Sequence, residues 1–235
     1  SAGGLLNKPL VIAAIAGTPP KFKITSAPHG ACTDRFAQLA FKESGIKPKK
    51  YLNQNIEVIT TNFRAGKLDA AAIWEPTASK MVAKGIARRG ASGIDFNALD
   101  GAFMVMLNDL IEQRPDAVTG WLNAELDAQI FVANPANADA VATMAEAQTE
   151  QIEKSILKSS LYDSPIAGSN KLTLDFVISD RARNLMADAT AFLYSLKKKP
   201  AATPTIRSGG VMPQFAEDVL RARGMTSPVG VINAK

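Results

Sequence analysis

The chain holds one cysteine and one histidine, and each scarcity removes a class of chemistry. Cys32 alone cannot close an internal disulfide. One thiol and one imidazole cannot supply the nitrogen–sulfur ligand set of a zinc site. With His29 as the only imidazole and the acids scattered along the chain, neither a Ser/His/Asp arrangement nor a paired-carboxylate signature can be argued. No catalytic residue, metal or cofactor is therefore expected. Aromatic residues make up 6% of the 235 residues, too few to offer a base-stacking platform. None of the nucleic-acid-binding motifs occurs, so no nucleic-acid partner is expected. The apolar stretch from Leu10 to Ala16 falls far short of the ~20 residues a membrane span needs. A charged leader region and cleavage site are not visible, so Ser1 reads as a processed start, with export left open.

What is present is an ordinary globular composition, 46% apolar and 21% charged with a net charge of +5, enough for one large α/β domain or two small lobes. The mild basic excess is compatible with anionic ligands, although Lys and Arg are spread over expected solvent faces.

The most informative stretch runs from Gly66 to Pro76. A helix ends at Gly66, a residue suited to the left-handed conformation of a helix C′ position. Ala70 to Trp74 then reads as a strand buried on both faces. Glu75-Pro76 closes it and opens a helix, with proline tolerated in the first turn. This is one αβα step of an open sheet. Polar residues at the carboxyl end of such a strand stand where ligands bind, which makes Trp74 and Glu75 candidates.

Upstream, Ser1 to Asn7 reads as a loose start, and strands are expected over 9–15 and 22–27. The loop Pro28-His29-Gly30-Ala31-Cys32-Thr33 precedes a helix that stops at Gly45. The unpaired N–H groups and dipole of that helix start form a ready anion site. The loop lacks the Lys-Ser/Thr ending of a phosphate-binding loop, so nucleotide hydrolysis is not expected. Asn53 is a candidate cap for a helix bearing Ile56, Ile59 and Phe63 on one face. Downstream, Ile86 to Arg89 and Ala102 to Leu107 read as strands. From Asn108 the pattern turns helical: 109–114; 115–132, with Val118, Trp121, Leu122, Leu126 and Ile130 as its stripe; 134–147, with Val141 and Met144 inward; and 151–161. Pro165 to Asn170 reads as a loop reaching the ligand face. Leu172 to Ile178 is a strand or an apolar helix start, undecided by period. Helices follow over 180–197 and 213–223, with 227–235 as a tail.

In their order, Gly66, Lys67, Leu68, Asp69 and Ala70, followed by Trp74, Glu75 and Pro76, resemble a signature of the periplasmic solute-binding proteins of nitrate/sulfonate/taurine-type ABC importers. Pro115, Val118, Asn134, Pro135 and Ala138 resemble that family's downstream helical segment. The resemblance covers roughly residues 22 to 160. It implies an α/β, two-lobed periplasmic-binding-protein-like fold of type II with open sheets and a helix-rich C-terminal half. Lobe 1 would comprise 1–20 and 108–235 and lack part of its N-terminal region; lobe 2 would comprise 21–107. It further implies a non-enzymatic, monomeric protein, periplasmic or lipid-anchored outside the cytoplasm, that holds a small solute between the lobes and delivers it to a membrane permease. By position, the cleft residues are His29, Gly30, Ala31, Cys32, Thr33, Trp74 and Glu75. Many relatives have Gly-Ser where this chain has Gly30-Ala31, leaving Cys32 and Thr33 as the side-chain donors. Glu75 would repel a bound anion unless it pairs with a cation or meets an amine. Two rival readings are an enzyme resembling the thiamine-pyrimidine synthases, which carry a Cys-rich segment this chain lacks, and the effector domain of a transcription regulator.

Overall fold

The computed structural model describes residues 4–6, 10–15, 23–96, 98, 100–149, 152–162, 171–197 and 203–233. Its larger sheet is built around the strand that the sequence marks most clearly, β5 (Ala70–Trp74). This strand pairs in parallel with β3 (Ile24–Ala27), placing Thr25 opposite Ala70. On its other side it pairs antiparallel with β2 (Leu10–Ile15), placing Leu10 opposite Trp74. Outer strands β4 (Lys50–Asn53) and β6 (Ala87–Ser92) complete a five-stranded sheet of order β4-β3-β5-β2-β6. Asp69, in the Gly-Lys-Leu-Asp run, fixes the register. Its carboxylate accepts from the Ile24 amide at 2.8 Å, and its own amide donates to the Ile24 carbonyl at 2.9 Å.

Alternation along β5 divides the core. Ala71 and Ile73 face α2 (Ile56–Arg64) and α3 (Thr77–Ala83), meeting Ile59, Phe63, Ala78 and Met81. Ala70 and Ala72 face α1 (Cys32–Ser44), meeting Phe36, Ala37 and Ala40. Methyl-sized side chains let helices close on both faces of one strand. The turn after α2 forms as its sequence requires. Gly66 takes φ +68°, its amide donates to the Phe63 carbonyl, and the Lys67 amide donates to that of Asn62.

A smaller antiparallel sheet joins β1 (Gly4–Leu6), β7 (Lys171–Asp175) and β8 (Gly230–Asn233) in the order β1-β7-β8. Around it stand α4 (Asn108–Gln113), α5 (Pro115–Ala133), α6 (Ala138–Gln148), α7 (Lys154–Tyr162), α8 (Asp180–Ser195) and α9 (Gln214–Ala222). Val118, Leu122 and Leu126 of α5 pack on Phe176 and on Ala216, Val219 and Leu220. Between α6 and α7, Asp139 accepts from Lys154 at 2.6 Å and from Lys158 at 2.9 Å. These bonds lower its carboxyl to about 2. The pair favours the folded chain above the usual carboxylate range and stops doing so as pH falls through that value. One ion pair, Arg35 to Asp188 at 3.5 Å, ties α1 to α8.

Several expectations change. The start and the tail each contribute a strand, β1 and β8, to the smaller sheet. Residues 1–20, grouped by sequence with 108–235, are divided by strand pairing: Gly4–Leu6 pairs with β7, whereas Leu10–Ile15 pairs with β5 and β6. Asn55, not Asn53, caps α2, accepting from the Val58 amide at 2.9 Å. Ala102 to Leu107 forms no strand; Val105 and Leu107 are 84% and 77% exposed. An apolar run is a buried strand only where a sheet offers it a neighbour. Trp121 is 60% exposed, off the stripe made by Val118, Leu122 and Leu126, and Met144 is exposed as well. The 172–178 stretch resolves as a strand over Lys171–Asp175. The expected loop 165–170 lies outside the described residues.

Two glycines predict opposite outcomes. At Gly230 an added Cβ would collide with the Ala133 Cβ of α5, whereas at Gly120, inside α5, it would meet nothing within 4 Å. Gly230→Ala should lower stability by ~1–3 kcal/mol through overpacking. Gly120→Ala should raise it by ~0.5–1 kcal/mol through helix propensity. Urea unfolding of the two variants measures both signs.

Candidate functional site

The carboxyl ends of the parallel strands β3 and β5 lie at one edge of the larger sheet, and the loop 28–31 leaves β3 there to enter α1. Gly30 makes the turn possible, with φ +82°. The Ala31 amide donates to the Pro28 carbonyl at 3.2 Å. Ala31 is also the N-cap of α1, and its methyl group cannot accept a bond from the first turn. The open end of the helix dipole therefore stands beside the loop.

Three side chains outside the expected site residues hold the loop in place. Asp34, in the first turn of α1, is fully buried. Its Oδ2 accepts from the Gly30 amide at 2.8 Å, and its Oδ1 accepts from Tyr51 Oη at 2.7 Å and from Gln38 Nε2 at 2.9 Å. Asn53 Oδ1 accepts from the His29 amide at 2.9 Å, the role this residue has in place of the expected helix cap. Tyr51 also stacks on the His29 ring, with centroids 4.5 Å apart. Burial, then the Asp34 carboxylate, pushes the Tyr51 phenol well above its ordinary range. Only an acid in the first turn of α1 hinted at this arrangement; Tyr51 and Asn53 arrive through β4, an edge strand with no apolar pattern.

Two expected site residues carry polar atoms that are buried and have no hydrogen-bond partner: His29 Nε2 and Thr33 Oγ1. Native proteins pair nearly all such atoms with protein, water or ligand. Trp74, half-buried, packs with Cys32 on the cluster beneath α1. The structure thus gathers His29, Gly30, Ala31, Cys32, Thr33 and Trp74 on the α1 side of one sheet edge.

Glu75 is placed differently. As the next residue after Trp74, it turns to the α3 side. Its Oε2 accepts from the Ser79 amide at 3.0 Å and its Oε1 meets Arg89 Nη2 at 2.5 Å. Arg89 Nη2 also donates to Ser79 Oγ at 2.8 Å. One carboxylate oxygen is committed to a buried ion pair and the other to a backbone amide, so the charge expected to oppose an anion is neutralised within the protein. A signal for Arg89 existed in the Arg88-Arg89 pair, since a strand sends one of two neighbours to each face. Among the described residues, no group of three or more His, Cys, Asp or Glu is placed to hold a metal ion.

Residues 7–146 match the NMT1-like family. Solved structures share the fold at low identity. The periplasmic aliphatic sulphonate binding protein of Escherichia coli is 17% identical with a TM-score of 0.68, over 91% of this chain and 73% of that one. The alkanesulfonate-binding protein of Xanthomonas axonopodis pv. citri, bound to MOPS, is 16% identical with a TM-score of 0.68, over 90% and 72%. The periplasmic nitrate-binding protein of Synechocystis PCC 6803 is 13% identical with a TM-score of 0.69, over 96% and 69%. The fold is therefore the two-lobed α/β fold of periplasmic binding proteins, as the Gly66–Pro76 signature implied. A comparison with curated proteins gives no match.

Two consequences can be measured. Arg89→Gln leaves Glu75 buried without its cation and should cost ~3–5 kcal/mol in urea unfolding; an unchanged midpoint would mean the pair is solvated. The raised Tyr51 phenol favours the folded chain below pH ~10, and that contribution is lost as pH rises beyond it. Tyr51→Phe should therefore flatten the alkaline fall in stability, read from melting temperatures between neutral and strongly alkaline pH.

Proposed function

This chain belongs to the NMT1-like family, and from that premise we propose that it is the solute-binding component of an ABC importer. It captures a small polar or anionic solute, such as a sulfonate, taurine, nitrate or a related anion, and delivers it to a membrane permease. The observation that carries this reading is the pair of unpartnered buried atoms, His29 Nε2 and Thr33 Oγ1, beside a helix start with no side-chain cap. An anion placed there accepts from the Thr33 hydroxyl and from the first-turn amides, while the helix dipole favours its charge. The sulfonate- and nitrate-binding proteins that share this fold support the same class of solute.

In this reading Trp74 forms the apolar wall of the cleft and Glu75 acts at one remove, holding the start of α3 through Ser79. One lobe is the larger sheet with α1–α3, and the other is the smaller sheet with the helices after residue 107. Closure of the two around the solute is what the permease would recognise. The protein turns nothing over, works as a monomer and acts outside the cytoplasm.

Taurine, short alkanesulfonates and nitrate are the probes. A true ligand raises the melting temperature with concentration as RT ln(1 + [L]/Kd) requires and is recovered unaltered. Thr33→Val should weaken its binding about tenfold or more, the effect of one lost hydrogen bond to a charged group. Trp74→Ala should abolish the shift with the fold intact. A panel that moves the melting temperature nowhere would remove the transport reading.

A further inference from the structure

Away from this sheet edge, a groove of about 520 Å³ runs between α2 and α3. It lies on the face opposite α1, since α2 and α3 cover Ala71 and Ile73 whereas α1 covers Ala70 and Ala72. Its volume is in the range of small-molecule sites, ~300–1,000 Å³. The lining is chemically divided. Ile56, Met81, Ile86 and Ile152 are apolar, and Arg64, Lys80 and Lys84 bring three cations against the single carboxylate of Glu57.

None of those three cations makes an ion pair or a side-chain hydrogen bond among the described residues. Elsewhere basic side chains do find carboxylates, as Arg89 finds Glu75 and Lys154 and Lys158 find Asp139. The hydroxyls of Thr60 and Thr61 donate to the Ile56 and Glu57 carbonyls of their own helix, at 2.7 and 3.0 Å. Their protons are used and only their lone pairs face other groups, so the charged donors of the groove are the three cations.

We propose that this groove is a second binding site, for a small amphiphilic oxyanion: an apolar body of several carbons ending in a phosphate, sulfate or sulfonate. The body lies on the part-exposed Ile56, Ile86 and Ile152, removing them from water, and the head meets Arg64, Lys80 and Lys84. An inorganic anion uses half of the site and a neutral apolar molecule the other half. The site does not depend on the transport reading, because no residue of the 28–33 loop lines it.

Octyl phosphate, kept below its micelle concentration, is titrated into the full chain by calorimetry and by backbone-amide NMR. Inorganic phosphate and octyltrimethylammonium serve as comparisons. Saturable binding of octyl phosphate is expected, at least about tenfold tighter than phosphate, with no binding of the cation and with shifts at Thr60, Thr61 and Lys84. The triple variant R64Q/K80Q/K84Q, which removes the charge and keeps the apolar floor, should weaken binding by about tenfold or more, as the loss of charged hydrogen bonds implies. Its circular dichroism and melting checks that it folds. Thr33→Val, which alters the other site, should leave octyl phosphate binding unchanged. Absence of saturable binding, binding that survives the triple variant, or binding lost with Thr33→Val would each overturn the proposal.

Discussion

Burial of β5 on both faces is the constraint from which the larger sheet follows. A strand that pairs with neighbours on either side and is covered above and below has no route to water for its backbone, so every peptide group must be paired within the protein. Ala70, Ala71 and Ala72 meet the steric side of that demand, leaving room for α1 on one face and α2 with α3 on the other. The period of two then decides chemistry as well as packing. Trp74 falls to the α1 side, with the loop and the helix start, and Glu75 falls to the α3 side, with Arg89 and Ser79. One step along the chain separates a side chain packed beneath α1 from a buried ion pair.

This explains which parts could be read from sequence. β5 was legible because Gly66 and Pro76 bracket an unbroken apolar run, and α1 because Gly45 ends a helical stripe. β4 was not: it is an edge strand whose residues are half-buried or exposed, and nothing in Lys50-Tyr51-Leu52-Asn53 alternates. β1 and β8 are strands only because β7 pairs with both, a fact fixed by partners more than fifty residues away for β8 and farther for β1. Apolar content misled at 102–107, where the segment crosses between the sheets without a strand beside it. Trp121 misled in the same way, since a large aromatic on a helix is counted inward when its neighbours are apolar.

At the candidate site, where the loop and strand end stand in the sheet was legible, and their hydrogen bonds and charges were not. The loop 28–33 and Trp74 follow from where strands end in an open α/β sheet. That Asp34 would spend its carboxylate on Gly30, Gln38 and Tyr51 depends on β4 lying beside the loop. The objection that Glu75 would oppose an anion disappears for a similar reason, because Arg89 reaches it from β6. Charges that look troublesome along a chain are often resolved by a partner that only the folded sheet brings alongside.

The bond from Arg35 to Asp188 gives α1 a second part. Its first turn borders the loop, and this arginine, one position beyond Asp34, touches α8, the helix that follows β7. Asp34 and Arg35 stand at the same end of α1, so the loop and α8 border the helix at one place. α1 is thus the element at which the loop of the candidate site and the helices around the smaller sheet meet.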